Sequence, residues 1–416
     1  MKKFLSRYFC LYRIYHTLFY LCVISAIGEL SYGVMNQSAI QPYLQSIGLT
    51  GQLGLIMATF LVVETLLKSP MGHLGDRFGR RPLIVGGALI SCMTALGMTM
   101  ARTVSTILPL RALDGVAAAA IWPTLIAAVG GSVPPEKRTS AMSALTVTYI
   151  AGVAIGPLIG GITNDRTGSK IASFYLVSAL FLFTAIIAFF FTPHMSKEDS
   201  AAAHSSESHM KLGDFLISLK LIPDLIFLSF AAFFAVGLLM PIIKLFAMDE
   251  LHLSETGYGA MIVPIALGVG LTSLAAGRVG DRWGKTLAVR VGISLTALGM
   301  WAAAFSHISW QFAIAGIVIG MGFVLAMPAW MALISDIAAP RVRGAVVGTL
   351  GTSQGIGAVI GAWLGAYLYA TVGLTIFGMH ITKQYLPFYI SAVALTLCMI
   401  VGIASIKEHD TRRIGA

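Results

Sequence analysis

Charge is what this sequence has least of. Only 11% of its 416 residues are Asp, Glu, Lys or Arg, while 57% are hydrophobic, against about 25% charged in an ordinary soluble domain. That balance excludes a soluble enzyme, a coiled coil and a disordered hub, none of which has a use for so much apolar chain. Cysteine is scarce too. Cys10, Cys22, Cys92 and Cys398 stand singly, with no CxxC or Cys/His spacing to hold a metal or staple a secreted scaffold. Three of them lie inside apolar runs and read as small hydrophobes. No nucleotide-binding loop, HExxH or GxSxG motif occurs, so the sequence offers no catalytic set, no metal site and no cofactor site.

What the chain has instead is long apolar runs. Its mean hydropathy is +0.83, and the runs are repeated, each long enough for the roughly 20 residues that cross a hydrocarbon layer as a helix. Twelve candidate helices fall at 14–43, 50–71, 82–101, 104–132, 140–163, 171–193, 223–247, 257–276, 286–305, 309–335, 343–371 and 386–406. An isolated span must satisfy its backbone internally, and these runs are too long for barrel strands of about 10 residues. The expectation is an all-α polytopic membrane protein. Lys2, Lys3, Arg7 and Arg13 ahead of the first run imitate a signal peptide, but that run continues without a break into Glu29, Tyr32 and Asn36 and reads as a retained span.

The net charge of +10 would suggest nucleic acid in a soluble protein. Here nearly every basic residue falls on one side of the spans. Only Arg102, Arg166, Lys170 and Lys383 fall on the other. The positive-inside rule then places both termini in the cytoplasm, in a cell inner or plasma membrane, and assigns the basic charge to topology rather than to nucleic acid. The longest polar stretch, 194–222, divides a six-helix half (1–193) from a second (223–416), and its His204 and His209 read as solvated loop residues.

The halves repeat each other. One constant offset carries Gly72, Gly75, Asp76, Arg77 and Gly79 onto Gly277, Gly280, Asp281, Arg282 and Gly284. The same offset carries Gly115 to Gly320, Pro123 to Pro328, and Gly152, Gly156 and Gly160 to Gly357, Gly361 and Gly365. Two related six-helix bundles with a cavity between them is a transporter architecture.

The segment Gly72-His73-Leu74-Gly75-Asp76-Arg77-Phe78-Gly79-Arg80-Arg81 joins the second and third spans on the cytoplasmic side. Its glycines permit a tight turn, and Asp76 can accept from helix-terminal amides or pair with a facing arginine. Such a cluster can latch the cytoplasmic face, whereas a plain positive-inside anchor explains the basic residues alone. This signature, its second copy and the twelve-span layout resemble the major facilitator superfamily over essentially the whole chain. The resemblance implies alternating access, with Gly72, Asp76, Arg77, Gly79 and Arg80 and their counterparts Gly277, Asp281, Arg282 and Gly284 acting at the cytoplasmic gate.

Leu110-Arg111-Ala112-Leu113-Asp114-Gly115 is similar to the arginine-centred motif of the family's proton-coupled members, with Asp114 where the family often has Gln. A guanidinium there can hold a neighbouring carboxylate ionised until the pocket changes; the plainer alternative is a self-neutralising Arg111/Asp114 pair that only packs. Gly152-Val153-Ala154-Ile155-Gly156-Pro157-Leu158-Ile159-Gly160 resembles the family's antiporter motif. Its glycines align on one face for close packing, and Pro157 bends the span, whereas Ala362 occupies the matching place in the second half.

A charge at the centre of a span costs about 2.5–3.5 kcal/mol or more and is functional by default. Glu29 lies about 22 Å of helix from the cytoplasmic entry at 1.5 Å per residue, on one face with Ser25, Tyr32 and Asn36. A carboxyl there can trade a proton for a cationic substrate, or it can serve packing through bonds to neighbouring helices. Glu64 stands four residues before Lys68, so an internal ion pair competes with a coupling role. The repeat offset sets Glu29, Glu64, Lys68, Arg111 and Asp114 opposite Phe234, Val269, Ser273, Gly316 and Ile319, which assigns proton handling to the first half and an apolar pocket to the second. Lys244 and Asp336, towards the ends of their spans, are expected to snorkel or cap. Tyr32, Asn36 and Trp122 are the pocket candidates, with Trp122 about three turns beyond Arg111 on the same face.

The resulting expectation is a secondary active transporter and not an enzyme. It would be a monomer in the lipid bilayer that exports amphipathic or cationic small molecules in exchange for protons. A proton-coupled importer or a lipid or lysolipid transporter on the same fold stays open.

Overall fold

The computed structural model describes residues 2–134, 137–192, 222–337, 343–371, 374–376 and 379–409. The central stretch expected over 194–222 therefore lies, except for Ile222, outside the described residues. The described residues are helical almost throughout, because an apolar span in lipid must satisfy its backbone internally, and this outweighs the prolines inside five of the helices. The first span is α1 (Lys2–Val34), a π-helical turn (Met35–Ala39) and α2 (Ile40–Ser46) in direct succession. There follow a short 3-10 turn (Thr50–Gln52), α3 (Leu53–Phe78), α4 (Arg80–Met100), α5 (Val104–Ser132), α6 (Arg138–Thr167) and α7 (Ala172–Phe191). The second half holds α8 (Pro223–Leu239), α9 (Ile243–Asp249), α10 (Glu255–Trp283), α11 (Lys285–Ala304), α12 (Ser309–Ile337), α13 (Arg343–Thr371) and α14 (Leu386–His409). Two three-residue strands, β1 (Leu374–Ile376) and β2 (Met379–Ile381), pair antiparallel between α13 and α14, with Leu374 opposite Ile381.

Helix ends follow local chemistry. Thr103 and Thr106 form a reciprocal capping box at the start of α5, and Pro223 opens α8 where its missing N–H costs nothing. Gly79 separates α3 from α4 at φ 93°, and Gly284 separates α10 from α11 at φ 89°. The two loops of the repeat thus share one backbone conformation that only glycine adopts without strain.

Among the described residues, ten helical stretches are long and apolar enough to cross a membrane. Helices α10 and α13 stand where the sequence puts the eighth and eleventh spans. Large apolar side chains such as Leu66, Met100, Phe190, Leu271 and Leu298 are exposed, as hydrocarbon-facing residues are.

By their contacts the described residues fall into two compact units, bounded in the sequence as follows. The first comprises 1–49, 59–206 and 254–259, and the second 50–58, 207–253 and 260–416. Each has its own apolar core. In the first unit Leu21, Ile24, Ile84, Leu125, Val129 and Leu145 meet. In the second, Leu225, Leu228, Val289, Trp330, Leu333 and Cys398 do so.

Candidate functional site

Arg111 and Asp114 lie one turn apart on α5, so their side chains share a face. Arg111 Nη1 donates to Asp114 Oδ2 at 2.7 Å, and Arg111 Nη2 donates to Asn36 Oδ1 at 2.8 Å. Ser91 of α4 donates its hydroxyl to the other carboxylate oxygen, Oδ1, at 2.8 Å. Tyr32 Oη lies 3.0 Å from Ser91 Oγ. The guanidinium carbon sits 4.4 Å from the centre of the Phe60 ring, a cation–π contact that closes one side of the site. Arg111 is 0% exposed and Asp114 1%. Removing two such charges from water costs several kcal/mol each, and their attraction repays this only with good geometry and further hydrogen bonds. Those bonds are present here, except that Arg111 Nε finds no partner among the described residues.

Two backbone features make the network possible. Gly115 lets α5 approach α3, since a Cβ there would stand 2.8 Å from the Phe60 carbonyl oxygen. The π-helical turn adds a residue to the hydrogen-bond ladder of the first span and resets the face on which Asn36 projects. Gln41 Nε2 donates to the Asn36 carbonyl at 2.7 Å, which satisfies a backbone acceptor at this irregular turn. Asn36-Gln37-Ser38 matches a glycosylation acceptor in letters only, because it forms part of this turn inside the span.

Glu29 is placed differently. It is half-buried on α1 one turn before Tyr32, and among the described residues it makes no hydrogen bond or ion pair. Glu64 and Lys68 lie within its electrostatic reach. Glu64 forms an ion pair with Lys68 at 2.9 Å, with the Lys68 side chain 44% exposed. The internal pair expected from the spacing therefore forms, and Glu64 still acts electrostatically on Tyr32 and Asp114. Trp122 is 4.7 Å from Tyr149 of α6, ring centre to ring centre, and Tyr149 is in electrostatic reach of Glu29 and Glu64. Sharing a face with Arg111 thus associates Trp122 with the Glu29 group rather than with the Arg111 network.

The glycine motif of α6 packs on α1. A Cβ on Gly152 would lie 2.9 Å from Glu29 Cβ, one on Gly156 2.7 Å from the Gly33 carbonyl carbon, and one on Gly160 2.7 Å from Ser38 Cβ. Ser38 Oγ also donates to the Pro157 carbonyl at 3.4 Å. The same face in the second unit, Gly357, Gly361 and Gly365, packs on Phe230, Phe234 and Leu238 of α8. Close approach is therefore common to both halves.

At the loop motif, Gly75 and Arg80 are buried and Arg77 is exposed, its guanidinium carbon 5.5 Å from the centre of the Phe78 ring. The side chains of Asp76, Asp281 and Arg282 lie outside the described residues, as does Gly277 beyond its place in α10. Arg81 covers the Phe189 ring at 4.3 Å.

Lys244 corrects one expectation. It does not snorkel: it is fully buried in α9 beside Leu245, Phe246 and Ala247, all likewise at 0% exposure, because this short helix is itself enclosed. Asp336 lies outside the described side chains. In the second unit, Met327 and Trp330 line an apolar cavity of about 80 Å³ together with Phe233, Leu395, Cys398 and the buried Ser229.

One polar cluster escaped sequence reasoning. Glu255, 1% exposed at the start of α10, pairs with Lys170 and accepts from Asn164 Nδ2 at 2.9 Å. Asn164 Oδ1 accepts from the Ser173 hydroxyl at 2.7 Å, and Thr256 N donates to Asp165 Oδ2 at 2.8 Å. Nothing in the local sequence pairs these positions, because the partners lie 85 and 91 residues apart. Ser91 and Phe60 escaped for the same reason: each is an ordinary residue of an apolar span.

Ten helical stretches among the described residues that can cross a membrane, an internally repeated sequence and a charged network buried among the helices of the first half define a polytopic membrane transporter. The family profile described as Major Facilitator Superfamily matches residues 21–222 and 225–415, and the chain belongs to that superfamily. It is 26% identical over 343 residues to the multidrug resistance protein MdtG of Salmonella arizonae, which covers 80% of this chain and 83% of that protein. MdtG of Salmonella typhimurium matches to the same extent. Among solved structures, the nucleoside transporter NupG superposes with a TM-score of 0.76 at 13% identity, covering 94% of this chain and 99% of NupG. A bacterial homologue of the human lysosomal transporter Spinster, in an inward-facing unoccupied conformation, superposes with a TM-score of 0.67 at 16% identity over 95% of each chain. At these identities the structural likeness speaks for the fold.

Proposed function

We propose that the protein is a proton-coupled antiporter that exports amphipathic, cationic small molecules by alternating access. The observation that carries this reading is Glu29, a half-buried carboxyl within a membrane span that no hydrogen bond or ion pair engages among the described residues. An intramembrane acid kept without a structural partner is kept for an exchangeable one. A proton and an organic cation are the two partners that neutralise it, and they exclude each other. Tyr32, Tyr149 and Trp122 supply aromatic surface of the kind that holds a cation. Asp114 is the second proton-carrying group, tuned by Arg111, and Glu64 acts on both. The similarity to proteins named for multidrug resistance favours export of varied amphipathic compounds. The loop motifs around Gly79 and Gly284 would gate the cytoplasmic side, with both termini on that side of the cell inner membrane and the protein acting as a monomer.

The test is transport into proteoliposomes that are acidic inside, with tetraphenylphosphonium and ethidium as probes. Exchange against outgoing protons accumulates the probe in these vesicles, and Glu29→Gln abolishes the accumulation. Accumulation only when the acidic side is outside would mean symport. Gradient-independent flux, or undiminished accumulation in Glu29→Gln, would refute the assignment.

A further inference from the structure

The antiport reading requires Asp114 to gain and lose a proton, yet Asp114 is 1% exposed. Its surroundings leave few routes. On Oδ2 stands Arg111, whose guanidinium keeps its protons in proteins and so ends a proton path. Beyond Arg111 lies Asn36, held through its amide oxygen. Thr94 of α4 also reaches the Asp114 carboxyl, but its hydroxyl donates to the Ser91 carbonyl at 3.0 Å, which carries no proton onward. From α3, Phe60 caps the guanidinium, and Glu64 acts only through space. That leaves the Ser91 hydroxyl, which donates to Oδ1 and has Tyr32 Oη as its next neighbour.

Ser91 fixes the direction of the next link. A serine hydroxyl has one proton, and an ionised carboxylate is acceptor-only. With that proton directed to Asp114 Oδ1, Ser91 Oγ accepts from Tyr32 Oη across 3.0 Å. The result is an ordered chain of Tyr32 O–H, Ser91 O–H and Asp114 carboxylate. The Tyr32 ring is fixed edge-on against Phe181, 4.9 Å between centres, with Phe60 at 6.1 Å. Tyr32 itself is only half-buried and stands one turn from Glu29 on the same face of α1.

We propose that Tyr32 and Ser91 form a two-hydroxyl proton relay connecting the sealed Asp114 carboxylate to the face of α1 that carries Glu29. In the loading direction, an acid on that face releases a proton to Tyr32 Oη as Tyr32 passes its own to Ser91 Oγ and Ser91 passes its own to Asp114 Oδ1. Three O–H bonds break and three form. Both hydroxyls end neutral, one proton has moved onto Asp114, and Arg111 loses its anionic partner. The same three transfers run backwards unload the site and restore the starting orientation of both hydroxyls. The relay rests on the antiport reading for its purpose but not for its test.

The experiment follows the carboxylic C=O infrared band of Asp114 after a pH jump, with the full-length protein in lipid nanodiscs and no substrate. The band is assigned by its loss in Asp114→Asn. Tyr32→Phe and Ser91→Ala should each slow its appearance on the order of a hundredfold, the scale of a positioned proton-transfer group. Ser91→Thr, which retains the hydroxyl, and Thr94→Val should keep the wild-type rate. Unchanged rates in Tyr32→Phe and Ser91→Ala would overturn the relay. So would equal slowing in Ser91→Thr and Thr94→Val, which would mark a packing effect, or a wild-type Asp114 band that never appears. If acid-inside vesicles accumulate no probe while the infrared kinetics follow this pattern, the antiport reading fails and the relay stands.

Discussion

Replacing Asp114 by Ala isolates the energetics of the buried network. The substitution removes the acceptor of a charge-assisted bond at 2.7 Å and of the Ser91 hydroxyl bond at 2.8 Å. Bonds to charged groups contribute about 1.5–3 kcal/mol and neutral ones about 0.5–1.5. The greater effect falls on what stays behind: a guanidinium at 0% exposure, with Nε already lacking a partner and only Asn36 and the Phe60 ring left to receive its charge. Breaking a buried pair from one side costs about 3–5 kcal/mol, whereas replacing both partners by well-packed apolar residues is often neutral or stabilising. Asp114→Ala should therefore destabilise the protein by about 3–5 kcal/mol, and Arg111→Leu combined with Asp114→Ala should recover most of that loss. Equilibrium unfolding in mixed SDS and lipid-detergent micelles, followed by circular dichroism, measures both. A cost below about 1 kcal/mol for the single variant, or a double variant no more stable than the single, would refute the claim that an uncompensated charge dominates.

Two further substitutions probe the backbone. Gly156→Val places side-chain atoms where a Cβ alone would already meet the Gly33 backbone at 2.7 Å, and should cost about 1–3 kcal/mol by overpacking in the same unfolding assay. Gly86→Ala, with nothing within 4 Å of the new Cβ, is the control and should leave stability unchanged or slightly raised. Gly79→Ala and Gly284→Ala force alanine to φ 93° and 89° with ψ 153° and 147°, a region essentially confined to glycine, and each should lose about 1–3 kcal/mol by the same measurement.

Most spans were legible because hydropathy decides them: the seventh, expected over 223–247, runs from Pro223 to Asp249, whereas α10 and α13 are helices at the expected places without being among the ten apolar stretches. The meeting of Asn36, Arg111 and Asp114 was half legible. Spacing puts Arg111 beside Asp114, but bringing Asn36 to Arg111 takes a π-helical turn, and no propensity rule reads a π turn from Met-Asn-Gln-Ser-Ala. Lys244 was misread because distance from the end of a run says where a side chain begins, not what encloses it. Glu255 was invisible as a partner of Lys170 and Asn164 because an ion pair between the α6–α7 turn and the start of α10 depends on tertiary placement.

The repeat separates what the fold needs from what one half alone does. Gly152, Gly156 and Gly160 approach α1 as Gly357, Gly361 and Gly365 approach α8. Gly115 meets α3 beside Glu64 much as Gly320 meets Val269 of α10, and Gly79 and Gly284 share one positive φ. Features held in both halves answer to packing, since the same close contacts recur where no charge is buried beside them. Features held in one half need another reason, and in the first half they include Glu29, Glu64, Lys68, Arg111, Asp114 and Pro157. By that argument the glycines of the antiporter-like motif bring α6 onto the helix bearing Glu29, and the asymmetric residues are the ones whose loss should alter coupling before stability. Asp114 and Arg111 are the exception, because their burial makes them costly to separate. Lys244 has Ala39 opposite it in the first half and is buried in the second, so the second unit also holds a charge that the apolar-pocket description leaves out.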